Sequence, residues 1–493
     1  MMTLRSRMRT LSSQSLVYGL SGALTKVIGL VIVPILLRIF TPADYAVIDL
    51  VTAFTSIIGA ILILGSDSAV AFYFYRQKDE ESKRTLVSTW MYFQFVLNTI
   101  AGLCLFLLSG PLAQVILGND PHDKTYFQLI AAVFPLSSSF GYALEILRLQ
   151  LRPRRYLLVS AVNILTGFVL TLIVVVAMRK GLTGVYVSSA LTNVMAFAAA
   201  MWAVRGRLAW RFSPRLLRAI LAYGVPLVPI SAASWAIGQS NRFFIKAHTG
   251  MADVGLYSAG NKVAQLMLLA VTAFSLAWGP FAFSISEEPD ARRTYARVLT
   301  YYVAVMGWFA LILSLFAPLV LEVARPAYVR AYQVVPFLTM SYLITGAYYV
   351  VAVGTSLSKK TIHLTWPTVA GGAVTVAVNA LIVPLPYFSL VGGALATLCG
   401  NAVLVWLVYL VSQRLYPIPF ELKRVFPSVA ILAILVIVGQ ISHGFVKATA
   451  PSGLFIEAVL MASYPILLVT CGVIQRYEVA IVTRALRART RRR

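Results

Sequence analysis

The feature that most constrains this chain is a succession of apolar stretches of about 20 residues that runs from one end to the other. A helix rises 1.5 Å per residue, so each stretch is long enough to cross the hydrocarbon core of a bilayer. A β-barrel would instead show short segments of alternating hydrophobicity. The sequence therefore predicts an all-α polytopic membrane protein with about fourteen transmembrane helices. They cover residues 16–40, 46–74, 86–108, 127–147, 156–178, 184–204, 216–241, 254–277, 298–321, 334–357, 364–384, 390–412, 425–442 and 454–474.

Composition agrees with a chain whose solvent is lipid. Of the 493 residues, 59% are apolar and 12% are charged, whereas soluble domains are about half apolar and one quarter charged. The segments between the predicted helices are short on both faces, so they leave no room for a folded soluble domain.

Basic residues lie mainly on one side of the predicted topology. The net charge is +25, and 31 of the 42 Lys and Arg residues fall on the face that holds both termini, against nine on the other face. This bias predicts that both termini are cytoplasmic. The Arg-rich end of the chain resembles a nucleic-acid arm in composition, but beside a final helix we expect it to bind anionic membrane lipids, with no nucleic-acid partner.

A weak internal repeat suggests two halves. Predicted helices 1 and 2 contain LRIFTPADYAVIDL, and predicted helices 7 and 8 contain FIKAHTGMADVGLYSAG, each with a cation, a Thr, an Asp and a Tyr in that order. An offset of six helices preserves membrane orientation, so the halves are predicted to be parallel repeats around a central cavity. The predicted organisation is an N-lobe (1–205), a basic cytoplasmic linker (206–215), a C-lobe (216–412), two extra helices (413–475) and a basic cytoplasmic tail (476–493).

Prolines inside the predicted helices mark candidate hinges. Pro34 lies in the first predicted helix, and Pro226 and Pro229 lie together in the seventh. Each removes one backbone hydrogen bond and permits a bend. Two interpretations stay open, a hinge that moves as the lobes rock and a passive kink.

Motifs of known chemistry are missing from the sequence. It contains no GxxxxGK[ST], no HExxH and no clustered His and Cys residues. We therefore expect no nucleotide, no metal and no other cofactor, and we do not expect an enzyme.

Cations inside the predicted helices are the main candidates for a binding site. They are Lys26, Lys262, Arg242, Lys246 and Arg38. Ionisable groups in membrane spans normally face a cavity or a partner, so these are predicted to line a central cavity that suits an anionic, phosphate-bearing substrate. Alternatively, Arg38 and Lys246 extend to the headgroups, and Lys26 and Lys262 are paired with carboxylates.

Four further polar residues are candidates for ion coupling or gating: Asp49, Asp67, Asn241 and Asn261. Asp49 is placed to neutralise a cation of the first helix or to carry a coupling proton. Asp67 is placed to form a structural ion pair or to act in gating. The coupling ion, if there is one, is expected to be H⁺ or Na⁺.

Four segments together resemble the Wzx-type flippases of polysaccharide and O-antigen biosynthesis. The segments are SGALTKVIGLVIVPILLRIFTPADYAVIDL, LGSDSAVAFYFYR, YGVPLVPISAASWAIGQSNRFFI and VGLYSAGNKVAQLMLLAVTAFSLAWGPFAFS. That family belongs to the superfamily of the MATE multidrug exporters and the lipid II flippases. The resemblance covers predicted helices 1, 2, 7 and 8. Ala46 stands where the family usually has Gly, and Asn241 stands where many relatives carry Asp, which puts an acidic coupling site there in doubt.

The resemblance implies a function. It implies two six-helix lobes that open alternately to each face of the inner membrane, with a polyprenyl-pyrophosphate-linked oligosaccharide as cargo for O-antigen, capsule or exopolysaccharide. Polysaccharide polymerase and glycosyltransferases would be partners. Two alternatives are a MATE-like ion-coupled drug or cation antiporter and a membrane scaffold for glycosyltransferases that transports nothing itself.

Overall fold

The chain is mainly helical in the part seen in the computed structural model, which describes residues 29, 31–118, 120, 122–358, 361–386, 388–447, 450–475 and 478. No strand occurs among these residues. The α-helices are α1 (31–39), α2 (Pro42–Leu62), α3 (Ser66–Phe74), α4 (Glu80–Leu107), α5 (Ser109–Ile116), α6 (Asp123–Leu149), α7 (Pro153–Thr171), α8 (Gly181–Val204), α9 (Pro214–Gly224), α10 (Val228–Gln239), α11 (Asn241–Thr249), α12 (Met251–Ala264), α13 (Leu266–Ser284), α14 (Ala291–Leu315), α15 (Ala317–Ala324), α16 (Val335–Val351), α17 (Val353–Leu357), α18 (Thr365–Ile382), α19 (Ser389–Leu415), α20 (Leu422–Phe445) and α21 (Pro451–Thr470).

The all-α polytopic prediction is confirmed. Within the described ranges, thirteen helical segments are long and apolar enough to cross a membrane, and they correspond one to one to predicted helices 2 to 14. The first predicted helix is described only at residue 29 and over 31–40, so Lys26 lies outside the described residues. The chain divides into two compact units, residues 1–255 and residues 256–493.

Helix α2 begins at a complete capping motif. The Thr41 hydroxyl oxygen accepts a hydrogen bond from the Asp44 N–H (3.3 Å), and the Asp44 carboxylate accepts one from the Thr41 N–H (3.0 Å). Pro42 occupies the first turn, where its missing N–H has no intrahelical partner to lose. Local sequence thus sets where this helix starts.

The predicted helix 46–74 is in fact two helices joined by a left-handed turn. Leu64 has φ 51° and Gly65 has φ 59°, a conformation that favours glycine. Helix α3 then begins at Ser66. Ser66, Asp67 and Ser68 follow the turn directly, and apolar residues resume at Ala69, so hydrophobicity averaged over the segment did not show the break.

A second helix break meets the first one. Helix α9 ends at Gly224, and a 3₁₀ turn, Val225–Leu227, leads into α10. A Cβ on Gly224 would lie 2.3 Å from the Leu64 carbonyl oxygen, and one on Gly65 would lie 2.4 Å from the Gly224 carbonyl oxygen. The backbones of these two segments are therefore in direct contact. The interruption near Pro226 is present, while its role as a hinge stays a prediction.

Buried polar side chains join α3, α4 and α6 inside the first unit. Trp90 Nε1 and Gln94 Nε2 both donate to the Ser66 hydroxyl, at 2.7 and 2.9 Å. The Tyr142 hydroxyl donates to Gln94 Oε1 at 3.0 Å and accepts from Asn98 Nδ2 at 3.2 Å. Such a network favours one helix register, because a shift would leave several buried groups unpaired.

Tyrosine hydroxyls fill spaces left by glycines in the second unit. A Cβ on Gly346 of α16 would lie 1.6 Å from the Tyr302 hydroxyl oxygen, and one on Gly307 of α14 would lie 2.4 Å from that of Tyr464. The Tyr302 hydroxyl also donates to the Leu343 carbonyl at 3.1 Å. These contacts hold α14 against α16 and α21.

The segment after α21 is held by Glu478. Its carboxylate accepts from Arg424 (2.9 Å), from the Tyr301 hydroxyl (2.7 Å) and from the Gln475 N–H (2.8 Å). Burial opposes ionisation, but these hydrogen bonds together hold the pKa of Glu478 below its usual value. These contacts anchor Glu478 to α14 and α20, while residues 476–477 and 479–493 of the predicted basic tail lie outside the described ranges.

Replacing Gly224 by Ala tests the backbone crossing. We expect Gly224→Ala to destabilise the protein by about 1–3 kcal/mol, because the added methyl group would overlap the Leu64 carbonyl. Thermal unfolding in detergent measures the effect. Gly238→Ala in α10 is the matched control, since nothing lies within 4 Å of its Cβ position. Equal melting temperatures for the two variants would contradict the crossing.

Candidate functional site

An ion pair between α11 and α2 forms the centre of the candidate site in the first unit. Arg242 Nε donates to the Asp49 carboxylate. Arg242 Nη1 donates to the Gly238 carbonyl (2.8 Å) and to Asn241 Oδ1 (3.1 Å). The side chains of Arg242 and Asp49 are only 3% and 12% exposed. The guanidinium is therefore surrounded by acceptors from three residues.

Packing of α10 along α2 places these two charges together. Trp235 Nε1 donates to the Ala53 carbonyl and to the Ser56 hydroxyl, each at 3.0 Å. Beyond α11, a Cβ on Gly255 would lie 1.8 Å from the Pro42 carbonyl oxygen, so the chain returns closely to the start of α2. Asp49 lies on α2 between these two contacts.

The pairing gives Asp49 a definite electrostatic role. A guanidinium keeps its charge in a protein, so a buried Arg needs a fixed anion. Asp49 supplies that anion to Arg242. The sequence had offered a first-helix cation as its partner. Whether Arg242 also contacts substrate stays a prediction, and an anionic ligand there would compete with Asp49.

The other predicted cations occupy different positions. Lys246 lies at the far end of α11, where its ammonium donates to the Val115 carbonyl (2.7 Å). Burial lowers the pKa of Lys246, and nearby Asp123 partly opposes this effect. Arg38 and Pro34 are exposed on α1, and Lys262 is half-buried on α12 in the second unit. The structure thus brings Arg242 and Lys246 onto one helix, and Lys26 lies outside the described residues.

The candidate coupling residues also separate into two groups. Asn241 is fully buried beside Arg242, whereas Asn261, in the second unit, accepts a hydrogen bond from the Tyr342 hydroxyl at 2.6 Å. Asp67 is half-buried near the start of α3. Within the described part of the chain it forms no ion pair, so the structural pairing considered for it is not found. The coupling and gating roles of all four residues stay predictions.

Two polar features of the structure were not identified from the sequence. One is the network of Ser66, Trp90, Gln94, Asn98 and Tyr142. Its signal was present, because Gln94 and Asn98 are four residues apart in an apolar helix and so share a face. The other is a contact between His443 and Glu457. These two residues lie on different helices, and only the packing of α20 against α21 brings them together. No group of three His, Cys, Asp or Glu residues able to hold a metal occurs in the part of the chain that the structure describes.

Solved structures with the same fold are membrane transporters. A multidrug resistance MATE family transporter of the MOP superfamily, in its inward-facing conformation, has a TM-score of 0.63 at 15% identity, covering 81% of this chain and 94% of that one. The lipid II flippase MurJ, in an inward closed conformation, has a TM-score of 0.67 at 13% identity, covering 91% and 98%. A MATE transporter of Vibrio cholerae has a TM-score of 0.58 at 14% identity, covering 82% and 98%. At these identities the likeness shows the fold.

The sequence itself identifies the family. Residues 35–324, more than half of the chain, match the family described as polysaccharide biosynthesis protein. The chain is therefore a multi-pass membrane protein of the polysaccharide biosynthesis family, with the fold of MOP-superfamily transporters. The resemblance seen in the four sequence segments is confirmed. No curated protein matches the sequence at a significant level.

Removing the anion of the buried ion pair should destabilise the first unit. We expect Asp49→Asn to lower the free energy of unfolding by about 3–5 kcal/mol, because it leaves the Arg242 charge buried without compensation. The double variant Asp49→Asn, Arg242→Gln should recover part of the loss.

Thermal unfolding in detergent checks this expectation. Glu80→Gln serves as control, since the Glu80 side chain is 67% exposed in its pair with Lys83 and its loss should leave the melting temperature nearly unchanged. A loss in Asp49→Asn no larger than in the control would show that Arg242 does not depend on Asp49.

Proposed function

We propose that this protein translocates a polyprenyl-pyrophosphate-linked oligosaccharide across the inner membrane by alternating access, for the synthesis of O-antigen, capsule or exopolysaccharide. The observation that carries the proposal is the family match over residues 35–324, which ties the chain to polysaccharide biosynthesis. A protein made mainly of spanning helices contributes to such a pathway most directly by moving an intermediate across the bilayer.

The extent of the fold likeness favours a lipid-linked cargo. The likeness to the lipid II flippase covers 91% of the chain, against 81% and 82% for the two multidrug transporters. The difference is about one tenth of the chain, the length of roughly two spanning helices. A flippase of lipid-linked precursors therefore accounts for more of this chain than a drug exporter does.

The charges in the spanning region support a phosphate-bearing substrate. Lys262 is half-buried on α12, and Arg242 and Lys246 lie on α11. Ammonium and guanidinium groups bind phosphate oxygens with charge-assisted hydrogen bonds. In this proposal these three cations, with Lys26 and Arg38, attract the pyrophosphate or acidic sugars. The protein acts as a transporter and carries out no catalysis.

Topology and partners form part of the same proposal. Both termini face the cytoplasm, where the Arg-rich end contacts anionic lipids. An H⁺ or Na⁺ gradient drives the cycle. Polysaccharide polymerase and glycosyltransferases act on the substrate before and after translocation.

Deletion of the protein tests the cargo. We expect lipid-linked oligosaccharide to accumulate in the deletion strain while surface polysaccharide disappears, because the precursor is made but not moved. Extraction of the lipid-linked pool, compared with surface polymer, measures both. A strain that keeps its surface polysaccharide and accumulates no precursor would overturn the proposal.

A MATE-like drug or cation antiporter is the second candidate, because the same fold occurs in multidrug transporters. It predicts increased drug sensitivity in the deletion strain with an unchanged lipid-linked pool.

A scaffold without transport activity predicts that the purified protein in liposomes moves no lipid-linked oligosaccharide between leaflets.

Loss of the intramembrane ammonium groups should slow export. We expect Lys262→Ala together with Lys26→Ala to reduce export on the order of tenfold or more, the effect of losing a hydrogen bond to a charged group. Surface polysaccharide per unit of expressed protein is the measurement. Lys78→Ala is the control, because Lys78 is exposed between α3 and α4. Unchanged export in the double variant would remove both lysines from the mechanism.

A further inference from the structure

A buried histidine and a buried glutamate meet between α20 and α21. His443 Nε2 lies 3.1 Å from Glu457 Oε1. Their side chains are 5% and 1% exposed. His443 is close to the end of α20 and Glu457 is close to the start of α21, so the pair lies near the connection between these two helices.

Each partner keeps one polar atom without a hydrogen bond. Within the described part of the chain, His443 Nδ1 and Glu457 Oε2 are buried and unpartnered. Gln440 Nε2, one turn before His443 on α20, is also unpartnered. Buried polar atoms usually find partners, so this group of unsatisfied atoms indicates a site that binds something small.

Two further elements pack against the pair. The 3₁₀ segment Pro326–Val334 contributes the Tyr332 ring, edge-on to His443 at 5.4 Å. Helix α14 reaches this level with Leu315, which contacts α20 at Gly439. Among the described residues, His443 is the only basic group that forms an ion pair with Glu457.

The charge of this pair depends on one proton. With neutral His443 and ionised Glu457 the pair carries a charge of −1, and with one added proton it carries none. A buried charge without a partner is costly. Histidine is the side chain whose protonation ordinarily changes near neutral pH. A proton bound at His443 would therefore cancel the charge of Glu457.

We propose that His443 and Glu457 form a proton-binding site that couples proton uptake to the transport cycle. A hydronium ion from the side reached by the α20–α21 connection, which the charge bias predicts to be outside, transfers its proton to the His443 imidazole. The proton returns to water at a later stage of the transport cycle. The coupling part of this proposal rests on the proposed transport function, while the proton site itself does not.

A contact that only holds α20 and α21 together would respond differently to Glu457→Gln. Glutamine has nearly the shape of glutamate and can still hydrogen-bond to His443, so a purely structural contact would tolerate this change. A proton site would not, because the amide carries no charge to balance an imidazolium.

The proton site can be tested without any substrate. The chain has four histidines, so ¹⁵N-histidine NMR of the full-length protein in lipid nanodiscs resolves each ring across about pH 5 to 8. We expect one signal, absent in His443→Gln, whose titration midpoint moves by about one pH unit or more in Glu457→Gln. The exposed His363 provides the control variant, His363→Gln, which should leave the His443 signal unchanged. An unmoved midpoint in Glu457→Gln, or no titrating His443 signal, overturns the proposal.

Coupling is tested by the dependence of export on external pH. In cells we expect the rate of surface polysaccharide appearance to change with external pH in the wild type and in His363→Gln, and to lose that dependence in Glu457→Gln at equal expression. An unchanged pH dependence in Glu457→Gln overturns coupling through this site. If deletion of the protein leaves the lipid-linked pool unchanged while the NMR titration behaves as expected, the cargo is wrong and the proton site stands.

Discussion

Hydrocarbon contains no water to bond to a peptide group, and most features of this protein follow from that restriction. A helix satisfies its own backbone, so the spanning segments that the structure describes are helical. One interruption shows how protein can cover the backbone. At Leu64 and Gly65 the helix turns against Gly224, at which a second helix is itself interrupted. Two breaks that would each be exposed to lipid thus protect one another.

The same restriction applies to charged side chains, and the two buried pairs meet it differently. Arg242 keeps its proton under all ordinary conditions, so its pair with Asp49 has one charge state. In the proposed proton site, the pair of His443 with Glu457 has two charge states. A pair with a constant charge can hold α11 against α2 or exchange partners with an anion, whereas a pair that binds a proton suits a step in a cycle.

Much of the fold was predictable, because the length and hydrophobicity of a spanning helix are properties of consecutive residues. The left-handed turn at Leu64 was not, because the apolar residues on both sides of it also fit one long spanning helix. The partner of Asp49 was not predictable either, because it depends on how α10 lies along α2. Among the candidate site residues, Asn241 and Arg242 are adjacent in the chain itself. The convergence of Lys262 with them remains a prediction. These features depend on contacts between helices that are distant in the sequence, and a single sequence does not show such contacts.

The tyrosines that occupy glycine positions have a consequence for related sequences. Gly346 with Tyr302, and Gly307 with Tyr464, each form a fitted pair in which one member lacks a side chain and the other fills the space. A larger residue at either glycine is tolerable only if a smaller residue replaces the tyrosine at the same time. Across a family descended from a common ancestor, these positions should therefore be replaced in concert, and their covariation would record the packing of α14 against its neighbours.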